Sequence, residues 1–579
     1  LIQFLVLLGA SYAAHGTVQA ELETSAAGSA DAARHAPVLP VEAAGQTPQE
    51  EVVVAGSRGS CSTLKSVGGT MYTVEVEVGT PEQAMDVVVD TGSNLLVVES
   101  CACRDQGFCD PANKCFREGH SSTLSLMDQG QGGPTTAILS FGSGSILTEV
   151  ASDRVRVGAA VARLRRGLML MVDRQLDFGG PFEGILGLGL PSSRDGPLAL
   201  RIASHLGPFG GAEEASEQGF PAVQMSGAGS GGSSGGHSRG APSIWGAQNS
   251  SAAAKRALEA DLGFLGQAGV RRFSICFGGD DEADPGVLRF DPPAAPAALK
   301  SIGSMHWGLD FRGASVGASR ARLDFCSAAS MPHSQQTPCG AIPDSGTTFI
   351  MGPEDQLAAL TEGICDGWPR CSSNYTAMAA AARAGERAIL ERYGANPWDL
   401  RPLRKALVFE TLMRDCESWL DEGAGLEELP PVQLHLADDT GAAVVVTLEP
   451  RAYAVSVEER EKRIAYRSAP GEGKVPFGYE YTGRTLWVCR AAFGVLDYPT
   501  VRNGPAWILG MPIFRSHVVG FDVSKEPPTV SFTPGPCGGD CARGTALITP
   551  RAPVAGRARR PHRIHGPPRV PRVDIGQPL

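Results

Sequence analysis

The stretch Val87-Val88-Val89-Asp90-Thr91-Gly92-Ser93 is echoed far downstream by Ala341-Ile342-Pro343-Asp344-Ser345-Gly346-Thr347-Thr348. Each stretch places an Asp behind apolar residues and directly before a hydroxyl residue and a Gly. This pattern predicts a strand that ends in a tight turn, in which Gly permits an unusual backbone and the carboxylate projects. One such turn is ordinary turn chemistry. Two of them, in the two halves of one long chain, predict a pair of cooperating carboxyl groups.

Each Asp turn has a matching segment further along the chain. Phe182-Glu183-Gly184-Ile185-Leu186-Gly187 follows the first turn, and Trp507-Ile508-Leu509-Gly510 follows the second. With these segments the chain resembles the pepsin-like (A1-type) aspartic proteases, from about residue 72 to about residue 537. The resemblance implies an all-β dominated, bilobal fold with two β-rich lobes, an interlobe active-site cleft and short helices.

The resemblance also implies the residues of the site and its chemistry. Asp90 and Asp344 would activate a water molecule by general acid and base catalysis, and no metal or cofactor is needed. The expected supports of this dyad are Thr91, Gly92, Ser93, Ser345, Gly346 and Thr347. The hydroxyls of Ser93 and Thr347 would bond the outer carboxylate oxygens, although simple turn capping is the alternative for both.

A hairpin tip is predicted around Leu139-Ser140-Phe141-Gly142-Ser143-Gly144-Ser145. By resemblance it is the flap that closes over substrate, with Phe141, Gly142 and Ser143 at the substrate. The family normally has Tyr at the aromatic position, paired with a Trp where this chain has Val97. Both partners are absent together, so no polar group is orphaned.

Pro343 is a second departure, because it removes an N–H donor from the strand that feeds the second turn. The main functional prediction is an aspartic-type endopeptidase that acts on polypeptides at acidic pH. The alternative is a catalytically silent pepsin-like homologue that binds or inhibits, motivated by Phe141, Val97 and Pro343. A metalloprotease or a Ser/His hydrolase is disfavoured because the sequence lacks a convincing motif for either.

Charge is distributed unevenly over the 579 residues, whose formal net charge is -11. From Ala542 onward the chain has eight Arg and a single acid, Asp574. An acidic body with a cationic tail argues against nucleic acid binding by the body and suits a protein that works at low pH. We expect polypeptide substrates and a monomer.

The domain organisation predicted from the sequence has five parts. Residues 1–16 resemble a secretory signal and residues 17–65 a disordered propeptide. An N-terminal lobe covers 66–270 with a flexible Gly/Ser insertion at about 207–250, and a C-terminal lobe covers 271–541 with a helical insertion at about 375–416. A disordered Arg/Pro-rich tail covers 542–579. No other apolar run is long enough to span a membrane.

Fourteen Cys and two N-glycosylation tripeptides fit the secretory pathway, with secretion or an acidic vacuolar or lysosomal compartment as the destination. Cys101, Cys103, Cys109 and Cys115 suggest two local disulfides, or else a zinc site. By resemblance, Cys326 pairs with Cys339 and Cys416 with Cys489, and Cys276 with Cys537 as in the beta-secretase type. Cys365 with Cys371 is a plausible local pair, and Cys61 with Cys541 is left by elimination.

Overall fold

The structure, a computed structural model, describes residues 61–128, 133–141, 144–176, 183–190, 263–278, 285–319, 321–393, 403–469, 473–535, 537, 541 and 561–565. The signal-like segment, residues 17–60 of the predicted propeptide, the Gly/Ser insertion, and Gly142 and Ser143 of the predicted flap lie outside them. The chain divides into two units. The smaller, Leu1–Ala55 with Ala377–Leu403, is described only where it forms the end of one helix, and all the sheets belong to the larger.

A mixed sheet of fourteen strands joins the beginning and the end of the described chain. Near its centre, strand β1 (Cys61–Val67) pairs with β2 (Met71–Val78) on one side and with β11 (Gly286–Phe290) on the other. The order across the sheet is β12 (Leu299–Lys300), β24 (Thr529–Pro534), β23 (His517–Asp522), β10 (Arg272–Cys276), β11 (Gly286–Phe290), β1 (Cys61–Val67), β2 (Met71–Val78), β3 (Gln83–Asp90), β9 (Gly184–Gly187), β4 (Leu96–Glu99), β8 (Ala160–Leu176), β7 (Gly144–Val157) and β5 (Ser125–Leu126), with β6 (Thr136–Phe141) beside β7.

From Tyr72 to Val78 apolar and polar residues alternate, with Thr73, Glu75 and Glu77 on the polar face, which predicts a half-buried strand, and β2 forms there. Tyr72, Val74 and Val76 are buried, whereas Glu75 is exposed. Thr73, expected on the polar face, is buried because its strand lies inside the large sheet. Alternation therefore predicted the strand correctly and the exposure of one residue wrongly.

A second sheet of eight strands carries the other Asp turn. Its order is β17 (Ala443–Leu448), β16 (Val432–Ala437), β13 (Leu309–Val316), β14 (Cys339–Pro343), β22 (Gly504–Leu509), β15 (Ile350–Gly352) and β20 (Phe493–Val495), with β21 (Pro499–Thr500) beside β22. β14 runs parallel to β22, as β3 runs parallel to β9. Each Asp turn thus follows a strand whose parallel neighbour contains the downstream segment that the sequence singled out.

The third sheet is a long hairpin with one added strand. Strands β18 (Ala454–Ala469) and β19 (Gly473–Ala491) are antiparallel, and β25 (His562–Ile564) runs parallel to the start of β18. The composition of residues 542–579 predicts disorder throughout, and β25 differs from that expectation. Composition missed it because the strand is held by backbone pairing and by one buried side chain, Ile564.

The described helices are mostly short and lie between the strands. They are α1 (Cys101–Asp105), α2 (Phe264–Ala268), α3 (Glu354–Gly367), α4 (Pro369–Tyr393), α5 (Lys405–Arg414), α6 (Pro450–Tyr453) and α7 (Met511–Ser516). The predicted helical insertion corresponds to α4 and α5, although α4 begins six residues earlier than expected. Among the residues described, none of these helices is both long and apolar enough to cross a bilayer.

Seven disulfides pair all fourteen cysteines. The four clustered cysteines form Cys101–Cys115 and Cys103–Cys109, so the zinc alternative for them is excluded. The three pairs implied by the resemblance are present: Cys276–Cys537, Cys326–Cys339 and Cys416–Cys489. The local pair Cys365–Cys371 and the pair left by elimination, Cys61–Cys541, are present as well.

Candidate active site

Asp90 is the last residue of β3 and is held by the turn that follows it. Its Oδ1 accepts a hydrogen bond from the backbone N–H of Gly92 at 3.0 Å. Its Oδ2 accepts from the hydroxyl of Ser93. Both carboxylate oxygens therefore have a donor from within the same turn, which fixes the plane of the carboxyl group.

Asp344 follows β14 and repeats this arrangement position by position. Its Oδ1 accepts from the backbone N–H of Gly346 at 2.8 Å, and its Oδ2 from the hydroxyl of Thr347 at 2.6 Å. The two turns therefore use the same backbone and side-chain donors, at the same distances along the chain.

The middle residues of the two turns bond across to each other. The Thr91 hydroxyl donates to the carbonyl oxygen of Pro343 at 2.9 Å and accepts from the N–H of Ser345 at 3.0 Å. The Ser345 hydroxyl donates to the carbonyl oxygen of Val89 at 2.9 Å and accepts from the N–H of Thr91 at 3.0 Å. These four reciprocal bonds fasten the turns together and bring the carboxyl groups side by side.

The Asp90 and Asp344 carboxyl groups lie beside each other and are nearly inaccessible to solvent. Burial, and then the charge of Asp90, raise the pKa of Asp344 from 3.8 to about 7. Two adjacent carboxyl groups cannot both ionise without strong repulsion, so the pair keeps one proton over the acidic range. One group can then act as an acid while the other acts as a base.

Gly92 and Gly346 are required for space and not for an unusual backbone. Neither has a positive φ angle, which corrects the expectation from the sequence. A Cβ atom on Gly92 would lie 2.9 Å from the carboxyl atoms of Asp344, and one on Gly346 would lie 2.3 Å from Oδ1 of Asp90. Each Gly therefore makes room for the carboxyl group of the opposite turn.

Pro343 fits into β14 without disturbing the second turn. The N–H of Asp344 donates to the carbonyl oxygen of Leu509 at 3.0 Å, and the carbonyl of Pro343 accepts from Thr91. Parallel pairing continues through Pro343 to Leu509. The missing N–H of Pro343 thus leaves the contacts of Asp344 the same as those of Asp90.

The predicted flap is a hairpin of β6 and β7, in which Phe141 pairs with Gly144 at the end nearest the tip. Val97, which occupies the family's Trp position, is buried in an apolar cluster with Leu139 and Ile146 of these two strands. The hairpin is therefore held by apolar packing two residue pairs from the pair nearest its tip.

Two further residues that connect the halves of the site were not predicted. Thr348 donates its hydroxyl to the carbonyl oxygen of Thr70 at 2.9 Å, and the indole of Trp307 donates to the carbonyl oxygen of Leu188 at 3.1 Å. Both acceptors are backbone carbonyls more than a hundred residues away, so no sequence motif marks them. In the part of the chain that the structure describes, no group of three or more His, Cys, Asp and Glu side chains could hold a metal ion.

Comparison with known proteins agrees with this geometry. A family model described as "Eukaryotic aspartyl protease" matches residues 71–199, which include Asp90. Over these residues, less than a quarter of the chain, the sequence is similar to the aspartyl proteases. The mostly β architecture, with large mixed sheets and short helices, confirms the expected pepsin-like fold class.

Relatives in this pepsin-like family come from animals and plants. The chain is 34% identical over 130 residues to pregnancy-associated glycoprotein 1 of Ovis aries, a match that covers 22% of this chain and 32% of that protein. It is 35% identical over 135 residues to aspartic proteinase oryzasin-1 of Oryza sativa subsp. japonica, covering 23% and 25%. It is 32% identical over 130 residues to pepsin-2B of Gadus morhua, covering 22% and 38%. The match thus spans only a quarter to two fifths of the length of these relatives. None of these three relatives is a beta-secretase, so the comparisons give no support for the expected resemblance to that type.

Proposed function

We propose that this protein is an aspartic-type endopeptidase that hydrolyses peptide bonds of extended polypeptides at acidic pH. The single observation that carries the proposal is the pair of adjacent, buried carboxyl groups of Asp90 and Asp344, each held by the same two donors. The raised pKa of Asp344 supports it, because catalysis needs one acid and one base in the same pair.

The reaction follows from this charge state. The ionised carboxylate accepts a proton from a water molecule as the water oxygen attacks the carbonyl carbon of the peptide. The protonated carboxyl donates its proton to the carbonyl oxygen, which gives a neutral tetrahedral diol. The carbon–nitrogen bond then breaks as a carboxyl proton passes to the nitrogen and the other carboxylate takes back a diol proton. Because the pair shares its proton, neither Asp90 nor Asp344 is assigned permanently as the base.

The supporting residues have distinct tasks in this proposal. Ser93 and Thr347 hold the outer carboxylate oxygens, so that the inner oxygens face each other. Thr91 and Ser345 keep the two turns at a fixed separation, and Gly92 and Gly346 leave room for it. Fixed positions matter, because a misplacement of about 1 Å at a reacting group can cost roughly 100-fold in rate.

The compartment proposed for this activity is oxidising and acidic. Seven disulfides agree with the secretory pathway, since such bonds persist outside the cytosol. We place the active protein outside the cell or in an acidic vacuolar or lysosomal compartment, where the shared proton remains on the dyad. A propeptide, glycosylation and processing of the first residues are part of the same proposal.

The test uses the full chain and measures cleavage of a denatured globin and a peptide library by mass spectrometry from pH 3 to pH 8. We expect cleavage that declines as the pH rises through about 7, where Asp344 loses its proton. Asp90→Asn and Asp344→Asn should each reduce kcat by at least about 100-fold. Asp366→Asn is the matched control, because that carboxylate is half exposed and ion-paired with Lys405 on the surface.

A binding measurement distinguishes the active peptidase from the catalytically silent homologue. A peptide whose scissile bond is replaced by a hydroxyethylene group should bind at pH 4 to the wild-type protein. Binding without any cleavage would favour the silent homologue. If the protein is folded but shows no cleavage and no binding, the proposal that Asp90 and Asp344 form a working dyad is overturned.

A further inference from the structure

Residues 561–565 lie against two parts of the chain that are far from them in sequence. The strand β25 pairs in parallel with the start of β18, with His562 opposite Val455 and Ile564 opposite Val457. On its other side, the N–H of His565 donates to the carbonyl oxygen of Gly68 at 2.6 Å. The segment therefore bridges β18 and the turn that precedes β2.

Gly68 and Gly69 are shaped to receive this segment. Their φ angles are 57° and 68°, in the left-handed region that favours glycine. A Cβ atom on Gly69 would lie 2.2 Å from the carbonyl oxygen of Arg563, and one on Gly68 would lie 2.6 Å from that of His565. Any side chain at either position would collide with the backbone of the docked segment.

Side chains fix the segment in place. Ile564 is only 1% exposed and belongs to an apolar cluster that also contains Val455 and Val457. The Arg563 guanidinium lies 5.0 Å from the ring centre of Trp487, and the His565 ring lies 4.7 Å from it, edge to face. Backbone pairing, apolar burial and aromatic contacts all act on one short segment, as in strand-addition binding of peptides.

This binding site adjoins the dyad. The apolar cluster that receives Ile564 includes Ile342 and Phe349, which flank the Asp344 turn. The turn at Gly68 and Gly69 leads to Thr70, whose carbonyl accepts from Thr348, four residues after Asp344. The docked segment therefore packs against the buried residues that flank the Asp344 turn.

We propose that the edge of β18 at Val455–Val457, together with the turn at Gly68 and Gly69, is a strand-binding site for which β25 and extended polypeptide substrates compete. The chain's own segment thereby restrains the proposed peptidase activity, on which this inference rests. Release of β25 opens the site to substrate.

Covalent attachment favours the chain's own segment over a free peptide. Cys541, about twenty residues before His562, is disulfide-bonded to Cys61 at the start of β1. β1 ends at Val67, directly before Gly68. Docking is therefore intramolecular, and tethering of this kind corresponds to effective concentrations on the order of millimolar.

Two variants test the proposal from its two sides. Ile564→Asp removes the apolar anchor of the segment, and Gly69→Ala blocks the surface that receives it. Val501→Asp is the control for Ile564→Asp, because it introduces the same charge at a side chain that is 82% exposed. Gly441→Ala is the control for Gly69→Ala, because Gly441 also has a positive φ angle, 79°, but has open space around it.

The first measurement does not depend on activity. Limited trypsin digestion at pH 8, followed by mass spectrometry, reports cleavage after Arg563. We expect protection in the wild-type protein and in both controls, and cleavage at least 10-fold faster in Ile564→Asp and Gly69→Ala. Equal rates in the wild-type protein and in both variants would overturn the docking.

The second measurement is KM for an extended peptide substrate at acidic pH. We expect KM to fall several-fold in Ile564→Asp, where the site is emptied but intact, and to rise in Gly69→Ala, where the added Cβ obstructs substrate as well as β25, with little change in kcat in either variant. A synthetic peptide of residues 558–568 should raise KM again in Ile564→Asp but not in Gly69→Ala. If trypsin cleavage shows that β25 is released but KM is unchanged, the proposed competition is overturned.

A protein without peptidase activity can still be tested for the competition between β25 and peptide. If no form of the protein cleaves peptide, the Kd of the hydroxyethylene peptide replaces KM as the readout. A several-fold tighter Kd in Ile564→Asp, with a weaker one in Gly69→Ala, then supports the competition, and a Kd unchanged in Ile564→Asp contradicts it.

Discussion

Of the two turn glycines, Gly346 lies closer to the carboxyl group of the opposite turn. A Cβ atom at Gly346 would collide with Oδ1 of Asp90. We predict that Gly346→Ala reduces kcat by about 100-fold, because Asp90 must move away from Asp344. The unfolding free energy should fall by about 1–3 kcal/mol through overpacking. Steady-state kinetics and denaturant unfolding measure the two effects.

Gly441→Ala is the control for this prediction, since Gly441 has a positive φ angle and nothing near its Cβ position. It should retain wild-type kcat despite its backbone strain. If Gly346→Ala also retained wild-type kcat, the close approach of Asp90 would have no catalytic meaning.

Thr91 and Ser345 satisfy four backbone groups of the two turns between them. Thr91→Val and Ser345→Ala should each reduce the unfolding free energy by about 1–3 kcal/mol, because buried polar groups lose their partners. Together they should be non-additive, as expected for residues of one network.

A double-mutant cycle in denaturant measures this coupling. Thr361→Val is the control, because the Thr361 hydroxyl bonds only within its own helix, to Leu357. Strict additivity of Thr91→Val and Ser345→Ala would show that the turns are held together by other contacts.

At the scale of elements, the disulfide Cys416–Cys489 fastens the segment after α5 to β19. It closes a separation of 73 residues, whereas Cys365–Cys371 closes one of 6. Replacing both cysteines of the longer loop by Ala should cost about 2 kcal/mol more in unfolding free energy than the same change in the shorter loop.

Thermal and denaturant unfolding of the two double variants measure this difference. Both pairs are buried, so each variant also loses similar side-chain packing. A larger loss for Cys365–Cys371 would mean that chain entropy does not govern the contribution of these bonds.

At the same scale, the sequence predicted elements with strong local signals. The apolar runs at 432–436 and 443–448, and at 518–521 and 529–532, predict two hairpins, and β16–β17 and β23–β24 form them, as β2 forms at the alternating residues. The long hairpin of β18 and β19 was not predicted, because its strands are rich in charged residues that face solvent. The helical insertion was predicted, but its start was placed late because local propensity does not fix a helix boundary.

At the scale of the whole molecule, two buried groups give the stability opposite dependences on pH. The pKa of Asp344 is raised to about 7, so the folded chain holds a proton that the unfolded chain has released between about pH 4 and pH 7. Its contribution to stability is therefore lost as the pH rises through this window. Burial lowers the pKa of His517 to about 4, so its contribution is lost as the pH falls from 6.5 to about 4.

We predict that these two contributions partly cancel in the wild-type protein. Asp344→Asn should leave a melting temperature that rises from pH 4 to pH 7, and His517→Gln one that falls. Calorimetric melts at pH 4, 5, 6 and 7 check both, with Asp366→Asn as a surface control. Slopes identical to the wild-type slope in both variants would contradict the assignment of these groups.

The sequence by itself determined the family-level fold, the two Asp turns and their supporting hydroxyl residues, because short-range turn chemistry and hydrophobic alternation are local properties. The resemblance supplied three of the seven cysteine pairs, whereas the partners within the cluster from Cys101 to Cys115 were left open. Only the tertiary structure decided why Gly92 and Gly346 are glycines, how Pro343 is accommodated, and where β25 lies. Each of these depends on atoms brought together from distant parts of the chain, and local sequence carries no record of such contacts.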